Sequence, residues 1–214
     1  MAKFEVCCHK FVDLSEHNYG VSILNDSKYG FATVGNVMRL SLLRSPKAPD
    51  GNADMGKHVM RWAIMPHRGA LGAATVRAAA NLNNPMKIVR HRDASSGGKA
   101  APIRLVGDDN LVLDWIKRAE DDADVCHDAS ETLKARDASA GKSIVVRVYD
   151  ALGGFGRGVI QSDFPLEKVY KTNVLEDDLV EVAVQIGEDG GKESSFEIEL
   201  GSFEVATYRL VLKQ

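Results

Sequence analysis

Hydrophobic and polar residues alternate along much of the chain with a period of two residues. Such alternation is typical of β-strands that bury one face and leave the other in water. Glycine and proline interrupt it often enough to supply turns between short strands. The pattern therefore predicts an all-β architecture. The clearest alternating segments are Phe4–Cys8, Val21–Asn25, Val37–Leu42, Met60–Ile64, Ile144–Tyr149, Leu179–Val184 and Phe203–Leu212.

One segment departs from the alternation and predicts a single short helix. Residues Ala73–Leu82 are rich in alanine, which has the highest helix propensity of all residues. The tail Asn81–Pro85 follows as a stop, because asparagine and proline commonly end helices. We expect one helix there in an otherwise β-rich chain.

Short strands at roughly even spacing favour small β-sandwiches, and the length of 214 residues suits one large or two small domains. A boundary between residues 105 and 112 divides the chain into 1–110 and 111–214. Leu111–Lys117 predicts a strand that leads into a charged run. The segment near 123–142 is small, charged and bounded by glycine, so we expect an exposed insertion there.

The composition narrows the range of partners. The chain is 44% hydrophobic, enough for a real core, and its net charge of -3 gives no basic surplus for binding nucleic acid. Three cysteines, two of them adjacent, make a disulfide framework improbable. No apolar run is long enough for a signal peptide or a membrane span. These features predict an intracellular protein without a membrane partner.

Strong catalytic motifs are absent from the sequence. It contains no P-loop, HExxH, GxSxG or paired CxxC, and its six histidines lack zinc-site spacing. The loop 151–158 is rich in glycine, but no helix follows it as a phosphate site requires, so a hairpin connection is the favoured interpretation.

Trp62 and Trp115 lie in predicted strands and are expected in the core. His67 is expected to bond to backbone at a strand end.

Carboxylates crowd the first quarter of the chain. Glycoside hydrolysis needs two carboxylates that face a sugar across a gap, one as acid and one as base or nucleophile. Sequence does not reveal that geometry, and solvated loop carboxylates are the commoner case. The residues concerned are Asp13, Glu16, Asp26, Asp50 and Asp54.

Three N-terminal blocks, 4–16, 19–30 and 35–46, together resemble the C-terminal region of glycoside hydrolase family 38 α-mannosidases. The likeness is greatest to the cytosolic and fungal vacuolar branch. The resemblance continues in order through nearly the whole chain, which makes it stronger than any single motif. Further matching segments are Ala53–His58, Pro66–His67, Asn81–Pro85, Ile116–Asp122 and Phe203–Leu210.

The resemblance implies part of a mutarotase-like β-sandwich in 1–110 and a small terminal β-sandwich in 111–214. It also implies hydrolysis of terminal α-linked mannose with retention, through a covalent intermediate on an aspartate and with the help of zinc. The segments that carry the nucleophile and the zinc ligands in this family have no match here. The resemblance therefore assigns no catalytic residue, metal ligand or cofactor to this chain. It implies that zinc is bound in a catalytic domain that this chain does not contain.

In this family a loop of the β region approaches the active site, and the turn Asn25–Gly30 matches it best. On that resemblance Asp26, Lys28 and Tyr29 are substrate-rim candidates. Lys28 would donate a hydrogen bond to a sugar hydroxyl, Asp26 would accept one or hold Lys28, and Tyr29 would stack on the sugar or seal the edge of the site. An Asx-type turn with an exposed lysine is the equally weighted structural alternative. Arg39 and Arg44 are candidates for salt bridges to the missing catalytic domain.

Three functional hypotheses remain at this point. The first is the C-terminal, non-catalytic part of an α-mannosidase, partnered by a catalytic domain in cis or in trans and, through it, by an α-mannoside oligosaccharide. The second is a stand-alone carbohydrate-binding or interaction module, and the third, with little weight, an unrelated β-sandwich scaffold. No pattern in the sequence encodes an oligomeric state. Cytoplasm and vacuole are both open as compartments.

Overall fold

A computed structural model of the chain describes residues 4–88, 90, 101–120, 142–187 and 193–213. The chain divides into two compact units, residues 1–91 and 92–214. Nearly all regular structure is antiparallel β-sheet, and one short helix lies among the described residues. The predicted all-β class with one short helix is confirmed.

The first unit contains two three-stranded antiparallel sheets and the helix α1. One sheet has the order β2-β3-β6 and the other has the order β1-β4-β5. The elements are β1 (Val6–Cys7), β2 (Phe11–Ser15), β3 (Tyr19–Asn25), β4 (Gly30–Val34), β5 (Val37–Leu40), β6 (Trp62–Arg68) and α1 (Ala73–Asn83).

The helix α1 forms where the alanine-rich segment predicts it. Its residues Thr75, Val76 and Ala79 are buried, at spacings that place them on one face of the helix. This face packs against the β2-β3-β6 sheet, with Thr75 bonded to Ser22 of β3. At its C-terminus, Asn83 donates to the carbonyl of Asn25 over 3.0 Å and so ties the helix to the end of β3.

The second unit is a two-sheet arrangement with all of its pairs antiparallel. A four-stranded sheet has the order β13-β14-β10-β7, and a five-stranded sheet has the order β12-β11-β15-β9-β8. The strands are β7 (Ile103–Gly107), β8 (Leu111–Arg118), β9 (Ser143–Asp150), β10 (Gly156–Ser162), β11 (Leu166–Thr172), β12 (Asp178–Val182), β13 (Gln185–Ile186), β14 (Ser194–Leu200) and β15 (Val205–Leu212).

Both sheets of the second unit contribute to one hydrophobic core. Phe196 of β14 and Tyr208 of β15 meet there with ring centroids 5.3 Å apart, and both are buried. Burial raises the pKa of Tyr208 to about 12. Alternate residues of β9, β14 and β15 enter this core, as a β-sandwich requires.

The sequence-predicted division after residue 110 falls inside the second unit. Strand β7 precedes that division, yet five of its residues pair with β10. Backbone hydrogen bonding therefore joins 103–107 to the following sandwich, and the structure divides the chain between residues 91 and 92. The predicted insertion near 123–142 lies outside the described residues, except for Lys142.

The prediction that both tryptophans belong to the core is wrong. Trp62 is 51% exposed and Trp115 is 59% exposed. At Trp115 the cause is a β-bulge in β8, because Leu113 pairs with Val148 whereas Trp115 pairs with Arg147. The extra residue reverses the alternation, so Trp115 leaves the face that Leu113 shares with the core.

Candidate functional site

The turn Asn25–Gly30 connects β3 of one sheet to β4 of the other within the first unit. Asn25 anchors it and is completely buried. The Asn25 amide donates to the carbonyl of His9 over 2.7 Å, and its Oδ1 accepts from the backbone N–H of Lys28 over 2.8 Å. The second bond makes this an Asx-type turn that reaches the third residue on, where an Asx turn reaches the second, and its lysine is half-buried and not exposed as expected.

Two hydrogen bonds from Arg61 fix the Asp26 side chain. The Arg61 side chain donates to Asp26 Oδ2 through Nε over 3.0 Å, and the Arg61 backbone N–H donates to Oδ1 over 3.3 Å. The hydrogen bond from the Arg61 side chain lowers the pKa of the Asp26 carboxyl. Asp26 therefore joins the turn to the start of β6, and the suggestion that it holds Lys28 is not what the structure has.

Lys28 and Tyr29 present their side chains differently. Lys28 is half-buried, and its ammonium forms no ion pair with any residue that the structure describes. Tyr29 is 52% exposed, and its ring lies 5.4 Å from the His9 ring in a tilted arrangement. Of the three rim candidates, these two keep donor groups or ring surface for a ligand.

The two arginine candidates lie on the surface, outside the Asn25–Gly30 turn. Arg39 of β5 is exposed and stands opposite Ala32 of β4. Arg44 is exposed as well and forms an ion pair with Glu5 at 3.9 Å. Because both groups of this ion pair are accessible to water, the pair contributes little to stability.

A buried polar cluster that the sequence did not single out lies between the β2-β3-β6 sheet and α1. His67 Nε2 and the Ser22 hydroxyl each lie 2.6 Å from Asp13 Oδ2, and the Ser22 hydroxyl lies 3.0 Å from that of Thr75. The predictions of a solvated Asp13 and of a backbone-bonded His67 are therefore wrong. A Cβ on Gly20 would overlap the His67 ring, so this position requires glycine.

Electrostatics favour a charged Asp13. Burial alone raises the pKa of the Asp13 carboxyl, but hydrogen bonds from two serines and His67 outweigh it and hold the pKa below its ordinary value. The arrangement is structural, not hydrolytic. Ser22 is fully buried, so its hydroxyl has no access to a substrate, and it donates its hydrogen bond to the Asp13 carboxylate.

The glycine-rich loop 151–158 is not a hairpin connection. It joins β9 of the five-stranded sheet to β10 of the four-stranded sheet, so it crosses between the two sheets of the sandwich. The sequence interpretation missed this crossing because alternation alone does not tell which strands share a sheet.

The amides of this loop are already occupied by a carboxylate of the chain. Asp150 accepts from the backbone N–H groups of Gly153 at 2.8 Å, Leu152 at 3.3 Å and Phe203 at 2.7 Å. The side-chain amide of Asn110 donates to it as well, over 2.8 Å. Burial raises the pKa of Asp150, but these hydrogen bonds outweigh burial and lower it. Two of the loop N–H groups that a phosphate could use, those of Leu152 and Gly153, therefore bond to Asp150.

Neither metal ligation nor membrane insertion is supported by the described part of the chain. There, no three His, Cys, Asp or Glu side chains converge to hold a metal ion. The donor set for the zinc ion implied by the family resemblance is therefore not found among these residues. The described helix, of 11 residues, is too short to cross a bilayer.

Comparison with known families and proteins identifies the chain. Residues 1–52 match the glycosyl hydrolases family 38 C-terminal domain. Residues 129–208 match the glycosyl hydrolases family 38 C-terminal beta sandwich domain. The chain belongs to glycosyl hydrolase family 38. The first match contains the whole Asn25–Gly30 turn, and the second contains most of the sandwich of the second unit.

Relatives named as alpha-mannosidases match 82% to 98% of the chain. The "Alpha-mannosidase" of Saccharomyces cerevisiae is 44% identical over 211 residues, which cover 98% of this chain and 19% of the relative. "Alpha-mannosidase G" of Dictyostelium discoideum is 34% identical over 98% of this chain and 18% of the relative. The human "Alpha-mannosidase 2C1" is 33% identical over 82% of this chain and 15% of its own length. The chain spans less than a fifth of each of these relatives.

Proposed function

We propose that this chain is the C-terminal, non-catalytic part of an α-mannosidase that hydrolyses terminal α-linked mannose. Its role is to support the active site of a family 38 catalytic domain, supplied in cis or in trans. The observation that carries the proposal is the match of 98% of the chain to 19% of the yeast α-mannosidase, together with two domain matches, residues 1–52 and 129–208, that are both described as C-terminal. On the family resemblance, the nucleophile and the zinc ion belong to the catalytic domain.

Within this proposal, the Asn25–Gly30 turn forms part of the rim of the active site. Lys28 donates a hydrogen bond to a hydroxyl of the bound mannoside, and Tyr29 covers an edge of the sugar ring. Asp26 acts as a positioning residue, because its bonds to Arg61 fix the turn. Arg39 is the better candidate for a salt bridge to the catalytic domain, since Arg44 already contacts Glu5.

The test uses a chimaera in which the 214 residues replace the matching region of the yeast α-mannosidase. In this enzyme, Lys28→Ala should lower kcat/KM for an α-mannoside about tenfold, the effect of losing one charged hydrogen bond. Lys47→Ala, an exposed lysine outside the turn, is the matched control and should leave kcat/KM unchanged. Equal values for both variants would remove Lys28 from the rim.

A second candidate function rests on Trp115. Its side chain is exposed on an edge strand, beside Arg147 in the register of β8 and β9. An exposed indole ring next to a guanidinium group suits a sugar, because one packs against the ring and the other bonds to hydroxyls. A carbohydrate-binding module without catalysis would use this surface. Fluorescence titration with methyl α-mannoside tests it: saturable quenching that Trp115→Ala abolishes would favour this candidate.

The proposal includes the cellular setting expected from the sequence. We infer an intracellular protein of the cytoplasm or the vacuole, with an α-mannoside oligosaccharide as the ligand of the complete enzyme. Neither a nucleic acid nor a membrane is a partner in this proposal. Fractionation of cells that express the tagged protein, with the tag placed at either end, tests the compartment.

A further inference from the structure

A buried cysteine beside the Asn25–Gly30 turn has no role in the proposed function. Cys8 directly follows β1, and Cys7 of that strand pairs with Gly30 at the end of the turn. Both thiols are free, but Cys7 is exposed whereas Cys8 is only 7% exposed. Adjacent residues of a strand point to opposite sides. Of the two cysteines, Cys8 is the one whose thiol faces the turn.

Hydrogen bonds hold the backbone on both sides of the Lys28 Cα. On one side, the Lys28 N–H donates to Asn25 Oδ1 over 2.8 Å. On the other side, the Cys8 thiol donates to the Lys28 carbonyl oxygen, with the sulfur 3.6 Å from that oxygen. Because each peptide group is planar, these two contacts restrict both backbone dihedral angles of Lys28. Together they set the direction in which the lysine side chain leaves the turn.

The backbone of Cys8 extends this hold to Tyr29. The Cys8 N–H donates to the Tyr29 carbonyl over 2.7 Å. Cys8 therefore bonds to two consecutive carbonyl groups of the turn, those of Lys28 and Tyr29. These are the two rim candidates that keep donor groups or ring surface for a ligand. Cys8 is placed to act on both of them without touching a sugar, because it is buried.

The Cys8 thiol also accepts a bond, so both of its capacities are used. The side-chain amide of Asn25, which is completely buried, lies 3.9 Å from the Cys8 sulfur and donates to it. A thiol is a weak donor and a weak acceptor. Burial raises the pKa of the Cys8 thiol, which keeps the proton that the bond to Lys28 requires. An apolar side chain at this position would leave both partner groups unbonded.

We propose that Cys8 is a positioning residue of the active-site rim, which holds the Lys28 and Tyr29 carbonyls and thereby directs the Lys28 ammonium group at the bound mannoside. This inference rests on the proposed function and deepens it. It adds a residue that acts through Lys28 and is itself outside the substrate site.

The first test compares two variants of nearly equal size in the yeast chimaera. Cys8→Ala removes both bonds of the thiol, whereas Cys8→Ser leaves a similar void but keeps a donor and an acceptor. We expect Cys8→Ala to lower kcat/KM for an α-mannoside about fivefold, the effect of losing one hydrogen bond between neutral groups, and Cys8→Ser to stay within about twofold of wild type. Cys7→Ala, at the exposed neighbour, should change nothing. Equal losses for alanine and serine would overturn the proposal.

The second test asks whether Cys8 acts through Lys28. If it does, adding Cys8→Ala to Lys28→Ala should lower kcat/KM by less than about twofold further, because the side chain being positioned is already gone. A role in general stability would instead multiply the two effects, to about fiftyfold in the double variant. A multiplied loss would overturn the proposal. If Cys8→Ala does not fold, Cys8→Val takes its place in both tests, since valine fills the site without a donor.

The third test reads the turn itself, without reference to activity. Hydrogen exchange by mass spectrometry, on a peptide of the chimaera that spans the turn, should be at least fivefold faster in Cys8→Ala than in wild type, Cys8→Ser or Cys7→Ala. Unchanged exchange would overturn the proposal. The variant Lys28→Ala separates this failure from failure of the proposed function. If Lys28→Ala lowers kcat/KM but Cys8→Ala does not, the rim function stands and the role of Cys8 falls. If Lys28→Ala has no effect, the rim function fails, and the positioning role fails with it.

Discussion

Replacement of Asp150 by alanine tests whether the crossing between the two sheets depends on one buried carboxylate. The Asp150 side chain accepts three backbone N–H groups and the Asn110 amide, and it is only 2% exposed. Hydrogen bonds to a charged group contribute roughly 1.5–3 kcal/mol each. Water can replace the carboxylate at the partly exposed loop amides, so we expect Asp150→Ala to cost about 3–5 kcal/mol in total.

The assay is urea unfolding followed by the fluorescence of Trp115 in a Trp62→Phe background, so that only the second unit is observed. With an m-value of roughly 2 kcal/mol/M, the urea midpoint should fall by about 2 M. Asp114→Ala, which removes an exposed carboxylate at the bulge of β8, is the control and should change the midpoint little. A midpoint for Asp150→Ala equal to that of the control would show that the crossing does not depend on the Asp150 carboxylate.

The stabilising contribution of Asp150 should depend on pH. Since the folded pKa of Asp150 lies below its unfolded value, near 3.9, its stabilising contribution is fully present above that value. It disappears as the pH falls through the folded pKa. The difference in unfolding free energy between wild type and Asp150→Ala should therefore shrink between pH 5 and pH 2, and a constant difference would contradict the assigned bonds.

Two further predictions concern buried groups. Arg209→Met should destabilise the second unit by about 2–3 kcal/mol, because the variant removes a buried guanidinium group and leaves Asp178 without that partner. Arg157→Ala, at an exposed ion pair, should cost less than about 1 kcal/mol. Urea midpoints check this, and similar losses would contradict it. Iodoacetamide should alkylate the exposed Cys7 at least tenfold faster than Cys8, since burial raises the pKa of the Cys8 thiol. Equal rates by peptide mass spectrometry would show that Cys8 is accessible.

Local signals in the sequence were sufficient for the class of fold. The alanine-rich segment gave α1 nearly to the residue, because helix propensity acts over a short window. Alternation found β9 and β15 for a similar reason. It failed at Trp115, because the bulge at Asp114 depends on the pairing with β9, and nothing in the local pattern marks it.

The candidate site was predictable only in part. The composition of the Asn25–Gly30 turn predicts an Asx-type turn, and the Asn25 side chain does accept a bond from a backbone N–H of the turn, that of Lys28. The partner of Asp26 was not predictable, because Arg61 lies 35 positions away and reaches it through the pairing of β3 with β6. The Asp13–His67 bond joins residues 54 positions apart for the same reason. The sequence offered one signal for this bond: a polar residue occupies a position of an alternating strand that faces inward.

We propose above that this chain supports the active site of a family 38 catalytic domain. The most direct measurement is α-mannoside hydrolysis by three proteins: the isolated chain, the yeast α-mannosidase without its matching region, and that enzyme with the 214 residues restored as the chimaera. We expect turnover by the chimaera alone. Full activity of the deleted enzyme, or metal-dependent hydrolysis by the isolated chain, would contradict it.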